Sequence, residues 1–140
     1  MSAYCASKAG VESFAHALRA ELAHRGVAVG IAYINWTDTD MIRDADRHAV
    51  LRELRAHMPP PARKVYPVSQ VADKLAAAAQ RRATSVYVPA WLRAVQPVRA
   101  CLPAVVAHIA RTELPRLERT QRFEATGLLG AGGRADDRRR

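Results

Sequence analysis

Residues 27–34, Val-Ala-Val-Gly-Ile-Ala-Tyr-Ile, carry no charge and no proline, and their apolar residues follow one another without alternation. A strand with one wet face alternates; a continuous β-branched run is the pattern of a parallel strand covered on both faces. This run constrains the chain more than any other segment. A parallel strand needs a crossover connection to its neighbour and a second layer on each face. Ser85-Val86-Tyr87-Val88, closed by Pro89, reads as a second short strand of this kind. The expected class is therefore α/β with a parallel sheet. Two such strands cannot cover each other's faces or satisfy their outer edges, so the sheet is expected to be part of a larger one.

A helix is expected from about residue 3 to residue 25. Val11, Phe14, Ala15, Leu18 and Leu22 make one apolar stripe along it, and Gly26 stands where a left-handed terminus would end it. Ala6, Ala9 and Gly10 are small enough for another helix to pack closely. Tyr4 and Lys8 sit at i and i+4 near its start, on one face, with Cβ atoms roughly 5–6 Å apart in an ideal helix. A phenol ordinarily titrates near about 10 and is a poor base at neutral pH. A cation about 4 Å away interacts by roughly 4 kcal/mol at an effective dielectric near 20. One pKa unit is worth about 1.4 kcal/mol, so such a cation favours the phenolate substantially. The pair thus fits a tyrosine that exchanges a proton with an alcohol or carbonyl oxygen. Taken as an isolated Tyr-x-x-x-Lys, it equally fits a half-exposed tyrosine and a solvated lysine on a helix start.

The words around the pair narrow this. Tyr4-Cys5-Ala6-Ser7-Lys8-Ala9-Gly10-Val11, an alanine-rich helix and then a valine-rich strand resemble the active-site segment of the short-chain dehydrogenase/reductase family. The resemblance implies that Tyr4 is the catalytic acid/base. It implies that Lys8 lowers the phenol's pKa and binds the ribose hydroxyls of NAD or NADP. It also implies that the long first helix takes part in a subunit interface. After the strand the family has Pro-Gly-x-(Val/Ile)-x-Thr, a loop that touches the nicotinamide carboxamide. This chain has Ile34-Asn35 in place of Pro-Gly, Thr37 in place of the Val or Ile, and Thr39 matching the Thr. Asn35 suits a turn that needs positive φ. Thr37 and Thr39 are the cofactor-binding residues that the resemblance points to, with Tyr4 and Lys8. Thr39 or Asp40 also reads as a helix N-cap.

The implied fold is the C-terminal half of a Rossmann-like doubly wound parallel sheet, spanning residues 1–90. No Gly-rich strand-to-helix turn occurs in the sequence, so no phosphate-binding fingerprint is present. Ser2 and Ser7 are misplaced relative to Tyr4 for the family's catalytic Ser. The expectation is a truncated portion that lacks the cofactor-binding half. It would be an NAD(P)-dependent oxidoreductase by kinship, acting on an alcohol or ketone of lipophilic character, and inactive by itself. The other readings are a non-enzymatic partner of a full-length relative, or a module associated with a membrane surface.

Beyond the loop, one helix is expected over residues 41–57, stopped by Pro59-Pro60-Pro61. Met41, Ile42, Leu54 and Met58 either line an apolar pocket or pack on the sheet. A further helix is expected over residues 69–82, capped by Ser69 and burying Val71, Leu75, Ala78 and Ala79. Residues 91–125 form an amphipathic extension in which Trp91, Val95, Val98, Leu102, Val105 and Ile109 recur at helical spacing. Pro97 and Pro103 are expected to break it into two short helices. It can lie on a membrane surface, over a substrate mouth or against a partner. Residues 126–140 read as a disordered basic tail.

Charge separates the ends of the chain. Of the 22 basic residues 19 are Arg, and the net charge is +9, of which residues 81–140 carry +7. Cys5 and Cys101 have no C-x-x-C spacing and suit a reducing cytoplasm. The five His and the Asp residues at 38, 40, 44 and 46 have no metal-loop pattern, so no metal is expected. A cytoplasmic protein, peripheral at a membrane at most, is the expectation. Its partners would be a second copy through the 3–25 helix and a small-molecule alcohol or ketone; nucleic acid is not expected.

Overall fold

The computed structural model describes residues 2–120. The chain divides into two compact units, one built on Met1–Ile34 and Ser69–Leu92, the other on Asn35–Val68 and the segment from Arg93. The first unit holds helix α1 (Ser2–Leu22), strand β1 (Ile31–Ile34), helix α5 (Val68–Gln80) and strand β2 (Ser85–Val88). The second holds helices α2 (Asp40–Arg47), α3 (Ala49–Ala56), α4 (Pro60–Arg63) and α7 (Leu102–Thr120), with a 3-10 segment Gln96–Cys101 before α7. Leu92–Val95 is one helical turn, α6, at the join.

In the first unit β1 and β2 pair in parallel, Ile31 opposite Ser85 and Ile34 opposite Val88. The parallel pairing agrees with the sequence expectation; its length and burial do not. The eight-residue run yields only four strand residues, because β2 offers a partner only from Ser85. Upstream, the backbone is satisfied by side chains. Arg19 Nε donates to Val29 O at 3.0 Å, and Arg82 donates to Gly26 O. Gly30 lies so close to β2 that a Cβ there would stand 2.7 Å from Ala83 O. Nor is β1 covered on both faces: its residues alternate between half-buried and exposed, and Ile34 is 43 % exposed. Val71 and Ala78 of α5 are buried, and Val88 of β2 is 1 % exposed. Leu75 is half-buried and Ala79 exposed, so the buried face of α5 is narrower than its apolar pattern.

Both helices of this unit end in left-handed residues. Gly26 follows α1 and its 3-10 last turn with φ 66°, as its lack of Cβ allows. After α5 the same role falls to Arg82 at φ 53°, with Arg82 N donating to Ala79 O and Ala83 N to Ala78 O. This is a Schellman closure around a residue that pays a Cβ penalty. α5 begins at Val68, one residue before the expected cap Ser69.

In the second unit the helix expected over 41–57 is two helices. His48 between them is extended (φ −81°, ψ 114°). Asp46 Oδ2 meets Arg55 Nη2 at 2.8 Å, and Arg52 Nη1 donates to Asp46 O at 3.2 Å. Nine residues of continuous helix would separate positions 46 and 55 by about 13 Å of rise, so this ion pair requires the break. Ile42 and Ala45 are the buried residues of α2. The proline run does not only stop a helix; Pro60 opens the single turn α4, where its missing N–H costs nothing. Pro103 likewise does not interrupt the extension, for it sits in the first turn of α7, which runs on through Pro115. The tail expected over 126–140 lies outside the described residues. No helix among the described residues is long and apolar enough to cross a membrane.

Gly30→Ala should force its Cβ against a backbone carbonyl that cannot rotate away. We expect a loss of about 1–3 kcal/mol in chemical denaturation followed by circular dichroism.

Candidate functional site

Helix α1 carries one residue per turn along a single line: Tyr4, Lys8, Glu12 and His16. Alanines, leucines, Glu, Lys and Arg in its body favour the helix, against the weaker formers Gly10 and Val11. At its start Lys8 Nζ lies over the Tyr4 ring, 5.3 Å from the centroid. The ammonium therefore meets the negative face of the ring, a cation–π arrangement, and the pair expected from the spacing does come together. Ser7 Oγ turns back to donate to Tyr4 O at 2.7 Å. Tyr4 is 42 % exposed. Lys8 makes no ion pair among the described residues.

The next turns hold what the sequence reading missed. Tyr33 Oη donates to Glu12 Oε1 at 2.7 Å, and His16 Nε2 stands 3.8 Å from the same oxygen. The Tyr33 ring stacks on Tyr87, centroids 5.1 Å apart and planes within 7°. These tyrosines are directly opposite in the β1–β2 register. An aromatic rung across the strands thus presents a hydroxyl to the line that bears Tyr4 and Lys8. The available signal was Glu12 at i+4 from Lys8 together with one Tyr in each strand, but only the register joins them.

Thr37 and Thr39 lie in the second unit, in the loop before α2. Tyr66 N donates to Trp36 O at 2.8 Å and Asp38 N to Tyr66 O at 2.9 Å, so this stretch forms a one-residue parallel bridge at Thr37. In that geometry the N–H of Thr37 points away from Tyr66, and it has no backbone partner among the described residues. Its hydroxyl donates to Asn35 O at 3.0 Å. Thr39 is the N-cap residue of α2 by position, yet its hydroxyl makes no capping bond. Its carbonyl accepts from Ile42 N and Arg43 N. Asn35 does not adopt a positive φ, so the turn does not need one there. It acts through its side chain, donating to Ala62 O at 3.0 Å and Lys64 O at 3.4 Å, and so ties the loop to the α4 region.

The acidic cluster is used within the fold. Arg43 reaches Asp38 Oδ1 at 2.6 Å and Asp40 Oδ1 at 2.7 Å. The hydrogen bonds to Asp40 and then Asp38 raise its pKa above the ordinary guanidinium value, which leaves it charged throughout the working range. Arg55, paired with Asp46, also lies over Trp36 with its guanidinium carbon 5.8 Å from the ring centroid. No three His, Cys, Asp or Glu among the described residues cluster to hold a metal. Cys5 and Cys101 are exposed free thiols. Of the candidate pocket residues, Ile42 is buried and Met58 is 37 % exposed, while the side chain of Leu54 lies outside the described set.

Residues 1–49 match the family model of the short chain dehydrogenases. That span takes in α1, β1, the loop with Thr37 and Thr39, and α2. No curated protein and no solved structure matches the chain.

The Tyr33–Glu12 bond is a charge-assisted one. A double-mutant cycle of Tyr33→Phe and Glu12→Gln in urea denaturation should give a coupling of about 1 kcal/mol; a coupling near zero would show that the contact is not made in solution.

Proposed function

We propose that the chain belongs to the short-chain dehydrogenase/reductase family and carries the proton-transfer segment of an NAD(P)-dependent oxidoreductase acting on an alcohol or ketone. The observation that carries this reading is the exposed Tyr4 phenol with the Lys8 ammonium over its ring, inside the span that the family model matches. Tyr4 gives or takes the proton at the substrate oxygen. Lys8, with donors that no carboxylate claims among the described residues, offers hydrogen bonds to ribose hydroxyls. The outward N–H of Thr37 and the uncommitted hydroxyl of Thr39 have the right chemistry for a carboxamide. When bound, the nicotinamide supplies or accepts the hydride.

Each unit's donors, taken by themselves, have the chemistry of the nicotinamide end of such a cofactor and not of its other end. The 140 residues contain no Gly-rich strand-to-helix turn to cradle a pyrophosphate. The reading therefore assigns these residues to proton transfer and nicotinamide contacts, and expects no oxidoreductase activity from them alone. Helix α1 also supports a subunit contact. Val11 and Phe14 of its apolar stripe are 63 % and 65 % exposed. A second copy, or a full-length relative, is the occupant this reading favours for them.

Nicotinamide mononucleotide lacks the adenosine end and so separates the two halves of the claim. In a 1H–15N spectrum at millimolar concentration it should shift the Thr37 amide, a shift that Thr39→Ala weakens, and, separately, the Tyr4 and Lys8 signals, a shift that Lys8→Ala weakens at Tyr4. NADH and NADPH should bind no more than about tenfold tighter, since only contacts made by both ligands are present. Micromolar NADH affinity would overturn the assignment of the pyrophosphate elsewhere, and silence with all three ligands would overturn the site. For the subunit contact, Phe14→Glu should reduce self-association in sedimentation velocity.

A further inference from the structure

The second unit ends in an apolar helix face on which nothing rests among the described residues. Leu102, Val105, Val106 and Ile109 of α7 are 44 %, 52 %, 62 % and 45 % exposed, and Val98 just before them is 55 % exposed. At 3.6 residues per turn the four helical positions fall in one arc of about 100°. Among the described residues the element that α7 packs against most is the 3-10 segment that leads into it. Over residues 93–120 five Arg face two Glu, a net of three positive charges. Glu113 is engaged by Arg116 at 3.5 Å. Arg93, Arg111 and Arg119 form no ion pair among the described residues, and Arg111 falls on the side of α7 opposite Leu102.

We propose that α7 with its 3-10 lead-in is an interfacial anchor that lies flat on an anionic lipid surface. The apolar arc enters the acyl boundary while the arginines extend to headgroup phosphates along their apolar stems. Charge selects this occupant: the apolar arc is short and its surroundings are cationic, which complements an anionic leaflet. No described helix is long and apolar enough to cross a membrane, and the proposed contact is along the surface. This anchoring is independent of the chemistry assigned to Tyr4 and Lys8.

The test is flotation of the full chain with phosphatidylcholine vesicles, pure or with about 30 % phosphatidylserine. Binding should be at least about tenfold stronger to the anionic vesicles and should fall as salt rises from about 0.05 to 0.5 M. Val105→Asp with Ile109→Asp should abolish it with an unchanged circular dichroism spectrum, since both side chains are exposed. Arg111→Glu with Arg119→Glu keeps the apolar arc and should weaken binding several-fold at low salt. The proposal fails if neither vesicle binds, if binding ignores salt, or if the aspartate variant binds as the parent does. It also fails if sedimentation velocity shows a dimer that the aspartate variant dissolves, for the occupant would then be a second copy.

Discussion

The guanidinium of Arg19 holds the first unit together at its narrowest point. Its Nε takes Val29 O at 3.0 Å and its Nη2 takes Thr84 O at 2.5 Å, so one planar fork from α1 closes the approach to both strands. Such a bond from a charged donor is worth about twice a neutral one. It matters here because no residue of α1 is buried. The helix is not pressed onto the sheet by a full apolar face. It is tied at two heights, by Arg19 at the strand entries and by the Tyr33–Glu12 bond further along. Arg82 adds a third polar closure by taking Gly26 O at the turn that leaves α1.

This way of holding a helix has a consequence for the residues above it. Arg19 and Glu12 fix where the line Tyr4–Lys8–Glu12–His16 stands relative to β1, while the outer turns remain in water. Tyr4 is left 42 % exposed, and its neighbour Lys8 stands over its ring from one turn away. The stripe of α1 that points away from these ties, with Val11 and Phe14, keeps apolar area that only another surface could cover.

The second unit is organised on different physics. Its loop is held by backbone pairing with Tyr66 and by the Asn35 amide, and its helices by ion pairs that span a break. Asp38, Asp40, Asp44 and Asp46 look from their spacing like available ligands. Each is spoken for: Arg43 takes the first two, Arg47 lies 3.5 Å from Asp44, and Arg55 takes Asp46. Arginine is suited to this because its fork can serve two acceptors at once.

By itself the sequence determined what depends on short repeats and on backbone chemistry. The extent of α1, its end at Gly26, the strand character of residues 31–34 and 85–88 and the meeting of Tyr4 with Lys8 all follow from neighbours a few residues apart. The parallel pairing of the strands was legible from their uncharged, β-branched runs. Tertiary structure alone decided the rest. Residues 27–30 have strand composition but find no ladder, because β2 begins only opposite Ile31. The break at His48 lets Asp46 and Arg55, nine residues apart, form an ion pair that no local pattern announces. Tyr33 and Glu12 meet because the strand register and the helix position agree, and the apolar faces of β1 and α7 are exposed because coverage depends on what packs against them. Periodicity states which face of an element is apolar; only packing states whether that face is covered.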